Sequence, residues 1–187
     1  MGNRGGALHN DSREIVRQFK SRRWITCLLE SKGRQRSVMS PGSYTELFFL
    51  DEAVAFAVGH RPCAECRRER FTAFKSAWQR RVEADTEAPL RVLEIDTELH
   101  RNRVDSRGRK LTWEAALSSL PNGCFVRIDG SAYLVWDDAL LLWTPERYKK
   151  RESRPSSLTV TVLTPRPLVQ CFRQGYEPER HVSWRAL

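Results

Sequence analysis

A chain of 187 residues with 40% apolar and 29% charged side chains has the makeup of a folded, water-facing protein long enough to bury a core. No stretch approaches the ~18–20 apolar residues of a membrane span, and the start lacks the apolar segment of a secretory signal, so the expected setting is the cytoplasm, away from membranes. Lys and Arg total 32 against 23 Asp and Glu, and the resulting +9 charge points to a polyanionic partner, because phosphates release condensed counterions when basic side chains meet them.

Residues 1–11 are glycine-rich and are expected to be a flexible tail. Asp11 or Ser12 can cap a helix through Phe19, with Ile15, Val16 and Phe19 facing inward. Trp24–Leu29 has the β-branched and aromatic bias of a strand, Ser31-Lys32-Gly33 turns, Arg34–Met39 returns, and Tyr44–Leu50 forms a third strand after Pro41-Gly42. Asp51 then caps a helix that Gly59 ends, and a second helix runs from about Ala64 to Val82, with Phe71, Phe74 and Trp78 as its buried stripe. Residues 83–90 are acidic, close on proline and leucine, and read as a linker. Arg91–His100 and the basic Arg101–Lys110 follow, and Leu111–Leu120 is expected to be helical with Thr112 as cap.

From Pro121 the pattern turns to strands. Cys124–Ile128, Ser131–Trp136, Ala139–Trp143 and Leu158–Leu163 are separated by Asp129-Gly130 and other turn signals, and Leu168–Tyr176 suits a short helix. The expected fold class is α+β: a module over 12–82 packed with a β-rich module over 91–187, the latter a small antiparallel sheet or partly closed barrel.

Charge and thiols concentrate the chemistry. Residues 1–36 carry nine Lys/Arg against three Asp/Glu, and residues 60–82 carry seven against two. Arginine's planar fork suits phosphate, so Arg61, Arg67, Arg68 and Arg70 are the candidate nucleic-acid contacts. Five cysteines in a reducing compartment read as metal ligands or small buried hydrophobes. Cys63-Ala64-Glu65-Cys66 has the spacing that lets two thiolates face one metal ion at the start of a helix. The same pair also fits ordinary thiols in a turn held by packing. A thioredoxin-like redox pair fits less well, because no alternating strand–helix units surround it.

The order strand, acid-capped helix, Gly59-His60-Arg61-Pro62-Cys63, Cys66 and basic helix, over about residues 44–68, resembles the metal-binding N-terminal domain of the Ada DNA-alkylation repair protein and its zinc-knuckle relatives. His60 stands at an aromatic position of that pattern. The resemblance implies zinc held by Cys63, Cys66 and an upstream thiol, for which Cys27 is the candidate, and a DNA-repair or damage-recognition setting with DNA favoured over RNA. The relatives supply two upstream cysteines, whereas this chain offers Cys27, so a fourth ligand falls to His9, His100 or water. The family also implies Cys27 as the candidate to accept a methyl group from a DNA phosphotriester.

Two other constellations are open to chemistry. Glu94, Asp96, Glu98 and His100 beside arginines are a candidate phosphodiester site, with Asp96, Glu98 and His100 as its catalytic groups. Asp96 and His100 share a face on a helix; all four share one on a strand, and the sequence admits either. Tyr133, Trp136, Trp143 and Tyr148 are candidates for stacking on bases or for a plain core. The leading expectation is nucleic-acid binding, with an enzyme acting on nucleic acid as the alternative.

Overall fold

The computed structural model describes residues 1–30, 33, 37–82 and 90–187. Its fold is α+β, with a six-stranded antiparallel sheet in the C-terminal half. A three-stranded sheet gathers the N-terminal half: β1 (Gly2–Asn3) pairs antiparallel with β2 (Ile25–Thr26), which pairs parallel with β3 (Arg61–Pro62). The large sheet has the order β4 (Trp113–Ala116), β9 (Thr159–Val162), β5 (Phe125–Ile128), β6 (Ser131–Trp136), β7 (Ala139–Trp143), β8 (Tyr148–Ser153). Four α-helices accompany them among the described residues: α1 (Glu52–Ala57), α2 (Arg68–Val82), α3 (Val92–Arg103) and α4 (Arg166–Arg173). No helix among these residues is long and apolar enough to cross a membrane.

The alternation of strand side chains decides how the sheet is covered. Val126, Val135, Leu140 and Val162 point to one cluster, which they share with Phe74 and Trp78 of α2, Ile95 and Leu99 of α3, and Leu168 and Phe172 of α4. Their neighbours Phe125, Leu134 and Leu141 point to the other face, where Ala53, Val54 and Ala57 of α1 pack. Helix α1 bridges the two, because Phe56 turns into the first cluster and lies 5.8 Å from the Phe74 ring. The two halves of the chain therefore bury apolar surface against each other.

Local signals explain the elements that sequence anticipates. Asp51 accepts the Val54 amide at 2.9 Å as N-cap of α1, and Gly59 leaves that helix with φ +86°. The β5–β6 hairpin turns on Asp129 and Gly130, both at positive φ.

Several expectations are corrected. Residues 1–10 are not a loose tail: they supply β1, and Leu8 and His9 are buried. Residues 12–19 form no helix, and Ile15 and Val16 are 58% and 55% exposed, since no core face lies opposite them. Tyr44–Leu50 is irregular apart from a bridge between Leu47 and Gly2. Helix α2 begins at Arg68 rather than near Ala64, because the Cys63–Cys66 turn occupies the residues between. Leu111–Leu120 is strand β4 followed by a 3₁₀ turn, not a helix; pairing with β9 overrides its helical spacing. The expected Ser31–Gly33 turn and Arg34–Met39 strand lie largely outside the described residues, and Ser37–Met39 is not a strand. The expected linker over 83–90 also lies outside them, apart from Leu90.

Candidate metal centre and basic surface

Strand register brings distant thiols together. In the parallel pair, Ile25 stands opposite Arg61 and Thr26 opposite Pro62, so Cys27 and Cys63 leave the ends of β2 and β3 side by side. The Cys63 amide closes the pair on the Thr26 carbonyl at 2.9 Å. The chain then turns, with the Arg67 amide on the Cys63 carbonyl at 3.2 Å, and the turn carries Cys66 back to its neighbours. The three sulfurs lie within 4.8 Å of one another. Amide donors support two of them: Glu65 N–H to Cys63 Sγ and Leu28 N–H to Cys66 Sγ, each at 3.4 Å.

This donor set fits a soft or borderline cation. Zinc–sulfur bonds of ~2.3 Å in a tetrahedron place sulfurs about 3.8 Å apart, a contraction of at most about 1 Å from the spacing here. The sulfurs also share protons unequally. A hydrogen bond from the Cys27 thiol, helped by the Cys66 and Glu65 amides, draws the Cys63 thiol down, while its bond to Cys63 and burial push Cys27 up. Cys63 is buried and the other two are partly exposed. Among the described residues no His, Asp, Glu or further Cys joins the group. His9 is tied to Thr45 Oγ1 at 2.6 Å, and His100 faces Arg103 Nη2 at 3.2 Å and the Phe19 ring. Cys124 and Cys171 are buried in the core, where desolvation raises both thiols, Cys171 to about 12.

Three of the four arginines expected on phosphates have other partners. Arg61 is 2% exposed, and its Nε and Nη2 each donate at 2.8 Å to the two oxygens of Asp96. Arg67 and Arg70 converge on Glu52, whose buried carboxylate also accepts Tyr176 Oη and the Glu179 amide at 3.0 Å each. Arg68 is exposed and has no ion pair among the described residues. Glu52 was invisible as a hub in sequence, where it reads as an ordinary acid in a helix's first turn.

The candidate catalytic residues separate. Asp96 and His100 do share a face of α3, but both Asp96 oxygens are taken by Arg61. Glu98 points to α2 and holds Arg81 Nη2 at 2.7 Å. Two of the four strand aromatics are likewise engaged: Tyr148 donates to Asp51 at 2.6 Å, and the Arg180 guanidinium covers the Trp136 ring at 3.1 Å.

Where the helix over 12–19 fails to form, a basic surface appears instead. Arg13, Arg17, Lys20, Arg22 and Arg23 are exposed along this irregular segment, without an ion pair among the described residues. The segment lies on the end of α3: Phe19 packs edge-on to His100 at 4.9 Å, and Arg103 Nη2 donates to the Arg22 carbonyl at 2.5 Å. Exposed Arg101 and Arg107 extend the charge there. Beneath it, Trp24 is held between the guanidiniums of Arg4 and Arg103, each 3.9 Å from its ring. Burial lowers these two arginines to about 10 and about 9.

Compared with known proteins, the chain matches no family model, and no curated protein or solved structure is significantly similar to it.

Proposed function

We propose that the protein binds nucleic acid, DNA in preference to RNA, in a repair or damage-recognition role, with Cys27, Cys63 and Cys66 holding a zinc ion that ties β2 to β3. The observation that carries this reading is the face of Arg13, Arg17, Lys20, Arg22 and Arg23, exposed and without carboxylate partners among the described residues. Unpaired guanidiniums keep their full attraction for phosphate, whereas Arg61, Arg67 and Arg70 would first have to leave internal partners. The contact surface thus moves from α2, where Arg68 remains available, to the segment leading into β2. Four residue steps of near-extended chain, ~13 Å, take Arg23 to Cys27. A metal that fixes β2 would therefore also fix the register of the basic segment. The choice of DNA and of a repair role is supported by the resemblance of residues 44–68 to the Ada metal-binding domain.

The test is fluorescence anisotropy with labelled duplex DNA, single-stranded DNA and RNA across a salt series. Replacing Arg17, Arg22 and Arg23 together by alanine should weaken binding and reduce the log–log salt slope by up to ~2.7 on duplex, about 0.9 for each lost phosphate contact. Arg147→Ala with Lys149→Ala, exposed cations near the far edge of the large sheet, should leave the slope nearly unchanged. Equal losses from both variants would reduce the effect to net charge and defeat the assignment.

A further inference from the structure

We infer that the metal held by Cys27, Cys63 and Cys66 keeps one coordination position for an exogenous thiolate, making this an open, exchangeable centre rather than a closed knuckle. The inference rests on the zinc reading above and asks what completes the tetrahedron. Structural zinc sites close on four protein ligands, while sites that bind or activate another molecule hold three. Here three sulfurs converge, and no fourth side-chain ligand joins them among the described residues. Beyond Cys27 and its neighbours the chain runs Ser31-Lys32-Gly33-Arg34-Gln35-Arg36, which contains no Cys, His, Asp or Glu.

Exposure sets where the ligand enters. Cys63 is 9% exposed and forms the floor, while Cys27 and Cys66 are partly open to solvent. Leu28 and Leu29, the next two residues after Cys27, are 43% and 72% exposed, and the Leu28 amide reaches Cys66 Sγ at 3.4 Å. A three-thiolate set is soft and favours a sulfur donor over an oxygen or nitrogen donor in the remaining place. Zinc with three thiolates has a net charge of −1, and a fourth thiolate makes it −2. The Met1 ammonium, which donates to the Cys27 carbonyl at 3.0 Å, offsets part of that charge. A small aliphatic thiol, ionised at the sulfur, matches the metal and reaches it from the partly exposed side of Cys27 and Cys66. Binding exchanges a bound water for the thiolate and releases the thiol proton to solvent, with no change of oxidation state.

Cobalt(II) replaces zinc and reports its ligands by colour. The full chain is loaded with cobalt and titrated with 2-mercaptoethanol, and with imidazole in a parallel series. The expected result is a saturable change in the visible bands and a rise in sulfur-to-cobalt absorption with the thiol, and a weaker response to imidazole. Bands that stay fixed through the thiol titration show a closed site; they overturn this inference while leaving a metal-binding knuckle standing. Failure to take up cobalt or zinc at all defeats the zinc reading itself. Cys27→Ser, with its fold checked by circular dichroism, should lower the sulfur-to-cobalt absorption. Unchanged absorption in that variant places the cobalt elsewhere and also overturns the proposal.

Discussion

Separating Arg61 from Asp96 tests whether this arginine belongs to the frame or to the phosphate-binding surface. The two side chains are 3% and 5% exposed, and both Asp96 oxygens are used, each at 2.8 Å. Without Asp96, the Arg61 charge keeps the Pro62 carbonyl at 3.0 Å and the Phe71 ring at 5.3 Å, with no carboxylate among the described residues. Leaving one member of such a pair buried alone costs ~3–5 kcal/mol, a large share of the ~5–15 kcal/mol that holds a domain of this kind together. Asp96→Leu and Arg61→Met should each lower the unfolding free energy by about that amount. The double variant should recover most of it, because apolar side chains of similar volume replace a buried ion pair at little net cost. The assay is equilibrium urea unfolding of the four proteins at fixed zinc concentration, read as a double-mutant cycle with a coupling energy of ~3 kcal/mol or more. Should each single change cost less than ~1 kcal/mol while Arg61→Met flattens the salt dependence of DNA binding, the pairing is incidental and Arg61 is a phosphate contact.

Two further outcomes follow from the same frame. His60 is fully buried between the Trp24 and Phe49 rings, and burial, with Arg4 and Arg103 nearby, holds its pKa well below the ordinary value. The unfolded chain therefore takes up the His60 proton first, so stability present above pH ~6.5 declines below it, by up to ~1.4 kcal/mol per pH unit. His60→Phe should remove that part of the slope in urea unfolding between pH 7 and 5; an unchanged slope would assign it to other groups. Gly59→Ala combines a φ of +86° with a new methyl 2.6 Å from Arg103 Cδ, so it should destabilise by more than the ~1 kcal/mol of backbone strain alone. A thermal midpoint equal to that of the parent would show that Arg103 moves aside freely.

Local chemistry made part of this protein readable from its residues. The Asp51 cap, the Gly59 stop and the Asp129-Gly130 turn depend on neighbours in sequence, and β6 and β7 run over the residues their alternation marks. Cys63 and Cys66 were legible from their spacing, and Cys27 only through the resemblance to the Ada domain, because their meeting depends on a parallel pairing across 35 residues. Strand β8 was not legible, because Lys149, Lys150 and Arg151 carry no apolar alternation, yet an edge strand has one neighbour and tolerates charge. The segment over 12–19 had helical spacing but no surface to bury it on, and became the exposed basic face instead.

Residue order alone determined the α+β class, the positive charge and the Cys63–Cys66 pair, because each of these needs only composition or short-range geometry. Tertiary structure decided which charges are spent. Arg61, Arg67 and Arg70 look as basic as Arg22 and Arg23 in one dimension, and burial beside Asp96 and Glu52 is what separates them. The physical reason is that a charge's partner lies across the fold, where sequence distance carries no information and desolvation sets the strength of the interaction.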